Sequence, residues 1–196
     1  RSDPRLNRYV GIIKDQVMRL NTQVEKVLQV AKSERERMPI QPELIDMEEL
    51  LLEMGPSLEI KVQEKKGGRL IYDIQTEKTI VAADRLHLTN ILHNLVDNAV
   101  KYSKDAPEIT LSLTPHSPSH VRLAVSDKGI GIPREYQKRI FDKFFRVPKG
   151  NVHDVKGFGL GLYYVKRVCK EHRWQLELES EAGKGTTIYM LIPQAT

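Results

Sequence analysis

The sequence of 196 residues has one cysteine, one tryptophan and no long apolar run. The single thiol, Cys169, cannot form an internal disulfide, and its apolar neighbours predict a packing role in a reducing compartment. No stretch approaches the roughly 20 apolar residues of a membrane-spanning helix. No secretory leader is recognisable at Arg1. We therefore expect a cytosolic portion of a protein whose membrane anchor, if it has one, lies outside this sequence.

Composition argues against a nucleic-acid-binding protein. Hydrophobic residues make up 40% and charged residues 29%, which is typical of a globular domain. The net charge of +5 comes from scattered cations, without Arg-rich tracts or interleaved aromatic residues. A nucleic-acid interface usually concentrates its cations on one face, so we expect no nucleic-acid partner.

Residues 8–37 predict one long helix, and Pro39 and Pro42 prevent it from continuing. Its apolar positions alternate steps of three and four, which is a heptad seam: Val10, Ile13, Val17, Leu20, Val24, Val27 and Ala31. A lone helix cannot bury such a stripe. The seam favours a helical bundle or coiled coil over a helix that folds back on the following domain.

The remaining sequence predicts an α+β domain. We expect strands at 40–45, 69–75, 79–83, 109–114, 121–126, 174–180 and 186–192, with 69–75 and 79–83 forming a hairpin. We expect helices at 47–66, kinked at Gly55-Pro56, and at 85–102, 133–143 and 159–172, with a mobile loop at 146–158. The apolar face of the helix predicted at 85–102 comprises Leu88, Ile91, Leu92, Leu95, Val96 and Ala99. Helices against a mostly antiparallel sheet make a two-layer α/β sandwich.

Two segments carry side chains suited to a metal nucleotide. Asn94 and Asn98 are four residues apart, so they share a helix face with Lys101. An amide oxygen suits Mg²⁺, and a lysine suits phosphate, although a solvated helix face has the same pattern. Asp127, followed by Gly129 and Gly131, ends a predicted strand. Its carboxylate can accept from an exocyclic amine such as adenine N6, but a β-turn with an Asp cap is the common alternative.

Two further segments are rich in glycine. Gly157, Gly159 and Gly161 open a predicted helix, where backbone N–H groups can face a phosphate. The spacing matches neither the dinucleotide fingerprint nor a Walker A loop. Gly185, Thr186 and Thr187 turn into the last strand, which an ordinary β-turn would also explain.

The order of these four segments resembles the N, G1, G2 and G3 boxes of the GHKL ATPase superfamily, over roughly residues 40–194. Phe141-Asp-Lys-Phe144-Phe145-Arg146 is similar to the F box of histidine kinases, and Asn98-Ala-Val-Lys-Tyr-Ser is the kinase form of the N box. The chaperone, mismatch-repair and topoisomerase branches usually carry a glutamate base where this chain has Asn94. The resemblance therefore implies the catalytic domain of a bacterial sensor histidine kinase, with the Bergerat ATP-binding fold.

The resemblance also implies a role for each matching position. Asn98 would hold Mg²⁺, Asn94 would contact metal or phosphate, and Asp127 would bind the adenine amine. Thr186 would support Asp127 through water, with Thr187 as the alternative. Residues 142–160 would form an ATP lid seated by Phe144 and Phe145. The other nucleotide-binding positions implied are Lys101, Tyr102, Gly129, Gly131, Ile132, Arg146, Lys156, Gly157, Gly159, Leu160, Gly161 and Leu162.

Residues 1–38 resemble the second helix of a dimerisation and phosphotransfer hairpin, and residues 39–196 the catalytic domain. The phosphoacceptor sequence is absent around all six histidines: His87, His93, His116, His120, His153 and His172. We therefore expect the first hairpin helix outside this sequence, and a fragment that binds ATP without phosphorylating itself. The implied partners are a response-regulator receiver domain and a second copy in the intact kinase. The rival hypotheses are another GHKL branch and a dimerising module with a degenerate ATP site.

Overall fold

The computed structural model describes residues 38–76, 79–148 and 158–195. The chain divides into two units, Arg1–Met38 and Pro39–Thr196, and the description below concerns the second. The helix predicted over 8–37 lies outside the described residues, and so does most of the loop predicted over 146–158. None of the helices in the described ranges is both long and apolar enough to span a bilayer.

Ten elements follow one another in the described residues: β1 (Glu43–Asp46), α1 (Met47–Gln63), β2 (Arg69–Ile74), β3 (Ile80–Ala83), α2 (Arg85–Tyr102), β4 (Glu108–Ser117), β5 (His120–Asp127), α3 (Gly161–His172), β6 (Gln175–Glu181) and β7 (Gly185–Pro193). Five strands form one sheet in the order β2-β4-β5-β7-β6. In that sheet β2 is parallel to β4 and the other neighbours are antiparallel. The predicted α+β class with a mostly antiparallel sheet is confirmed.

The hairpin predicted for 69–83 is wrong. β2 pairs with β4 in the large sheet, whereas β3 pairs with β1 in a separate two-stranded sheet, which Gln194 extends through a bridge to Val81. The two segments do alternate as strands do, but alternation reports the buried face of a strand and not its partner.

Two helix predictions also need correction. Residues 133–143 form consecutive turns instead of a helix, closed by bonds such as Tyr136 N–H to the Pro133 carbonyl at 2.9 Å. α1 ends at Gln63, three residues earlier than predicted, and it continues through Pro56. Gly55 lies against Tyr72 of β2, where an added Cβ would be 3.0 Å from the phenolic oxygen. The glycine therefore allows the helix to approach the sheet closely.

One face of the large sheet packs against the helices and forms the core. On β5 this face carries Val121, Leu123 and Val125, all buried, and it ends at Asp127. The six apolar positions predicted on α2 are all at most 3% exposed. At roughly 1.5–3 kcal/mol for each large side chain buried, this packing holds α2 against the sheet, in which β5 carries Asp127.

Candidate nucleotide site

α2 presents the first group of predicted site residues. The Asp84 side chain caps the helix by accepting the His87 N–H at 3.0 Å, and the Ser103 N–H bonds the Ala99 carbonyl at the other end. Because its apolar face is buried in the core, the polar face that carries Asn94 and Asn98 is directed away from that core.

Asn94 and Asn98 meet the start of α3. A Cβ added to Gly161 would lie 2.9 Å from Asn94 Oδ1 and 3.8 Å from Asn98 Nδ2. The Asn94 amide is itself oriented by a bond from its Nδ2 to the Asn90 carbonyl at 2.8 Å. The structure thus brings the asparagine-bearing segment of α2 into contact with the glycine-rich segment at the start of α3. A side chain at position 161 would separate the two segments.

The first turn of α3 is suited to an anion. Leu160 occupies the N-cap position without a capping side-chain hydrogen bond, and Gly161 and Leu162 follow it. The first N–H groups of a helix lack partners within the helix, and the helix dipole places partial positive charge there. A phosphate at this end would face the two asparagines across Gly161.

Asp127 ends β5 with a partly buried carboxylate. It accepts the Gly129 N–H at 2.7 Å and also a backbone N–H bond from Thr186. Burial raises the pKa of this carboxyl, and the two N–H donors oppose the shift without cancelling it. An ionised carboxylate has about four acceptor positions, so it can receive a further amine hydrogen.

The glycines after Asp127 permit close backbone contacts. The Ile130 N–H bonds the Tyr102 carbonyl at 3.0 Å, and a Cβ on Gly129 would lie 2.7 Å from that same carbonyl oxygen. Gly131 has a φ of +62°, and a Cβ there would lie 1.9 Å from the Glu181 carbonyl oxygen. This loop is therefore held between the end of α2 and the turn that follows β6.

The sheet register separates Thr186 from Thr187. Thr186 pairs with Asp127, so both side chains project from the same face. Thr187 pairs with Ser126 on the opposite face and donates to its hydroxyl at 2.9 Å. The structure brings Thr186 to the predicted adenine position and does not bring Thr187 there.

The described ends of the predicted lid meet at one hydrogen bond. The Phe144 N–H bonds the Gly159 carbonyl at 3.1 Å, and a Cβ on Gly159 would lie 2.6 Å from the Phe145 carbonyl oxygen. Phe145 packs on Tyr136, with ring centroids 6.1 Å apart, while Phe144 has a φ of +62° and is 53% exposed. Of the two predicted seating residues, Phe145 is thus the one in ring contact.

The predicted cationic residues have varied settings. The Lys101 ammonium pairs with Asp97, whose other oxygen lies 3.3 Å from Lys61 of α1. Such a partly exposed pair contributes at most about 1 kcal/mol, so a phosphate could compete for Lys101. Arg146 is exposed. Lys156 and Gly157 lie outside the described residues.

Sequence reasoning missed three polar residues beside the site. Ser180 accepts the Ile132 N–H at 2.9 Å and lies 2.9 Å from the Thr186 hydroxyl. Gln137 donates to the carbonyls of Ile132, at 2.9 Å, and of Ser180, at 2.8 Å. Asn90 orients Asn94, and its signal was available, because it continues the four-residue spacing of Asn94 and Asn98.

Comparison with known proteins identifies the fold and its relatives. Residues 83–196 match the family of histidine kinase-, DNA gyrase B-, and HSP90-like ATPases. The chain is 39% identical over 184 residues to sensor protein RprX of Bacteroides fragilis, covering 93% of this chain and 35% of that protein. It is 29% identical over 185 residues to sensor protein SrrB of Staphylococcus aureus, covering 94% and 31%. The chain thus spans about a third of the length of these curated relatives.

Solved structures agree with this similarity. Full-length ShkA, crystallised with AMPPNP, superposes with a TM-score of 0.86 at 25% identity, covering all of this chain and 40% of that one. Histidine kinase ThkA, in complex with response regulator protein TrrA, gives a TM-score of 0.74 at 26% identity, covering 100% and 53%. With its five-stranded mixed sheet, its three described helices and the order of its motifs, the chain belongs to the histidine kinase-, DNA gyrase B- and HSP90-like ATPase family, as the catalytic domain of a sensor histidine kinase.

Proposed function

We propose that this chain binds ATP with Mg²⁺ between α2 and the first turn of α3. In the intact protein the γ-phosphoryl group passes to a histidine, and then to an aspartate of a response regulator. The observation that supports this most directly is the contact of Asn94 and Asn98 with Gly161 at a helix start without a side-chain cap. Mg²⁺ accepts amide oxygens among its ligands and a phosphate accepts from N–H donors, and this contact brings both kinds of group together.

The donor set fits magnesium carried by a nucleotide. In the described residues no group of three or more His, Cys, Asp or Glu side chains could hold a metal ion. A metal here would therefore take one amide oxygen, from Asn98, and fill its other positions with phosphate oxygens and water. When bound, the ion supplies positive charge that offsets charge on the phosphates. Asn94 would contact the same metal or a phosphate.

The opposite end of the site would bind the base. Asp127 would accept the adenine amine, with Thr186 holding the carboxylate through its backbone N–H. Gly129, Gly131 and Ile132 would let the ring approach the backbone. Tyr102, Lys101 and the lid residues Phe145, Arg146, Lys156, Gly157, Gly159, Leu160 and Leu162 would complete the ribose and phosphate contacts. Catalysis would rest on positioning and on charge stabilisation.

We further propose that this fragment does not phosphorylate itself. None of its six histidines has the sequence context of a phosphoacceptor. His87 and His172 are in addition occupied by hydrogen bonds to Tyr164 and to the Asp84 N–H. Incubation with γ-labelled ATP should give no acid-labile phosphohistidine, and any such product would contradict the proposal.

The proposed partners follow from the relatives. The ThkA structure holds a response regulator, and we propose a receiver domain as the partner of the intact kinase. Residues 1–38 would form the second helix of a hairpin that pairs with another copy. Residues 39–196 would be the catalytic domain, in the cytoplasm, with any membrane anchor supplied by segments outside this sequence.

Titration with a non-hydrolysable ATP analogue tests the nucleotide proposal directly. Calorimetry with Mg²⁺ should show one site, and chelation of the metal should weaken it. Absence of binding under both conditions would refute the proposed function, and binding of equal strength under both would refute the metal.

A further inference from the structure

The polar stripe of α2 continues beyond the two asparagines assigned to the nucleotide. His87, Asn90, Asn94 and Asn98 follow one another at steps of three, four and four, which places them on one helix face. Tyr164, in the first turn of α3, meets this stripe: its hydroxyl lies 2.7 Å from His87 Nδ1 and 3.4 Å from Asn90 Nδ2. The stripe therefore contacts α3 at two levels, through Gly161 and through Tyr164.

The donor and the acceptor of each of these hydrogen bonds can be assigned, starting from a further contact of His87. The Pro39 carbonyl lies 3.3 Å from His87 Nε2 and can only accept, so Nε2 carries the hydrogen. In a neutral imidazole Nδ1 is then an acceptor, and Tyr164 donates to it. The Tyr164 oxygen in turn accepts from the Asn90 amide, whose backbone carbonyl orients Asn94. Hydrogen bonds thus link the Pro39 carbonyl to the Asn90 side chain, and the backbone carbonyl of the same Asn90 accepts from the Asn94 side chain.

Tyr164 lies where it can fix the separation of two helices. Its own N–H bonds the Leu160 carbonyl at 2.9 Å, so it belongs to the turn that carries Gly161. That turn has no side-chain cap of its own. This turn meets α2 at two contacts, Gly161 against Asn94 and the Tyr164 hydroxyl against His87 and Asn90.

We propose that Tyr164 and His87 are positioning residues for the phosphate end of the nucleotide site. They hold the first turn of α3 at the distance from Asn94 and Asn98 that a metal triphosphate requires. They also couple this distance to the segment at Pro39 and Gln41, where the catalytic unit begins. Gln41 belongs to the same network, because its N–H bonds Asp84 Oδ2 at 2.8 Å, and Asp84 caps α2. The inference rests on the proposed function and deepens it.

Tyr164→Phe tests the positioning role, with Tyr163→Phe as the matched control, since Tyr163 is the preceding residue on the same turn and takes no part in the hydrogen bonds that link Pro39 to Asn90. A neutral hydrogen bond is worth about 0.5–1.5 kcal/mol, which corresponds to a loss of about twofold to tenfold in affinity. We expect this loss for Mg²⁺ with a non-hydrolysable ATP analogue in Tyr164→Phe alone. Adenosine, which reaches only the Asp127 end, should bind all three proteins equally.

The outcomes separate the two proposals. If the wild-type protein binds no nucleotide, the proposed function fails and the positioning role fails with it. If the wild type binds and Tyr164→Phe binds equally well, only the positioning role is overturned. A parallel loss for adenosine and for the triphosphate would show a general structural effect and would also overturn it.

Hydrogen exchange tests the coupling to Pro39 without relying on affinity. Coupling between two sites is reciprocal, so binding of Mg²⁺ with the analogue should slow exchange of the Gln41 amide. We expect this protection in the wild type and in Tyr163→Phe. We do not expect it in His87→Leu, because that variant loses the side-chain bond to Tyr164 while its backbone N–H still bonds Asp84. Equal protection in all three proteins, or none in the wild type, would overturn the coupling.

Discussion

Replacing Asp127 by asparagine removes the charge of the proposed adenine contact and keeps its shape. Asparagine has one acceptor oxygen, which Gly129 and Thr186 would already claim through their N–H groups. A hydrogen bond to a charged group is worth about 1.5–3 kcal/mol, so we expect affinity for an ATP analogue to fall about 10- to 150-fold. Calorimetry at pH 7 measures this, with the exposed Asp105→Asn as the control.

The same substitution should affect stability in the opposite direction. Burial raises the folded-state pKa of Asp127 above its ordinary value of 3.8, so the ionised form is disfavoured by folding. The contribution of Asp127 to the free energy of unfolding therefore decreases as pH rises from 3.8 through its folded-state pKa. Relative to Asp127→Asn, the free energy of unfolding of the wild type should decrease over this window and then stay constant up to pH 7.

Base selectivity provides the decisive comparison. An inosine triphosphate analogue presents a carbonyl where adenine presents its amine, and a carboxylate repels it. We expect the wild type to prefer the adenine analogue and Asp127→Asn, whose amide can also donate, to lose most of this preference. Unchanged affinity and unchanged selectivity in the variant would refute the assignment of Asp127 to the base.

Three further predictions concern other parts of the domain. Asn98→Ala should abolish the dependence of nucleotide affinity on Mg²⁺ in titrations with and without chelator; persistence of that dependence would exclude Asn98 as the ligand. Gly183 has a φ of +86°, and an added Cβ would have no atom within 4 Å, so Gly183→Ala should lower the free energy of unfolding by about 1–2 kcal/mol. Gly131→Ala should cost at least about 2 kcal/mol more in chemical unfolding, because its Cβ meets the Glu181 carbonyl; equal costs would contradict the close contact. Burial lowers the pKa of His172 below 6.5. Stability should therefore fall as pH drops from above 6.5 through the lowered pKa, and His172→Asn should flatten that part of a pH series of thermal unfolding.

The sequence was most informative where structure depends on nearby residues. α2 was predicted with its observed bounds, Arg85–Tyr102, because the apolar face that predicted it is a local feature. The wrong hairpin lies at the opposite extreme. β2 finds its partner only after α2 has returned the chain to the sheet edge at β4, and no local pattern encodes that pairing.

The candidate site shows the same division. The motif order predicted Asn94, Asn98, Asp127 and Gly161, and the structure brings the asparagines to the glycine. Choosing Thr186 over Thr187 required the register of β5 and β7, because a shift of one residue reverses the face. The contact of Tyr164 with His87 required the alignment of α2 and α3, which residue spacing within either helix cannot give.

The hydrogen bond between Phe144 and Gly159 has a consequence for how the protein can change. It holds together two residues that are 15 positions apart in the sequence. Lengthening a flexible loop is inexpensive, since a doubling costs only about 0.6 kcal/mol in closure entropy. A change in the number of residues between Phe144 and Gly159 should therefore cost little, because the strands and helices that carry the candidate site keep their own packing.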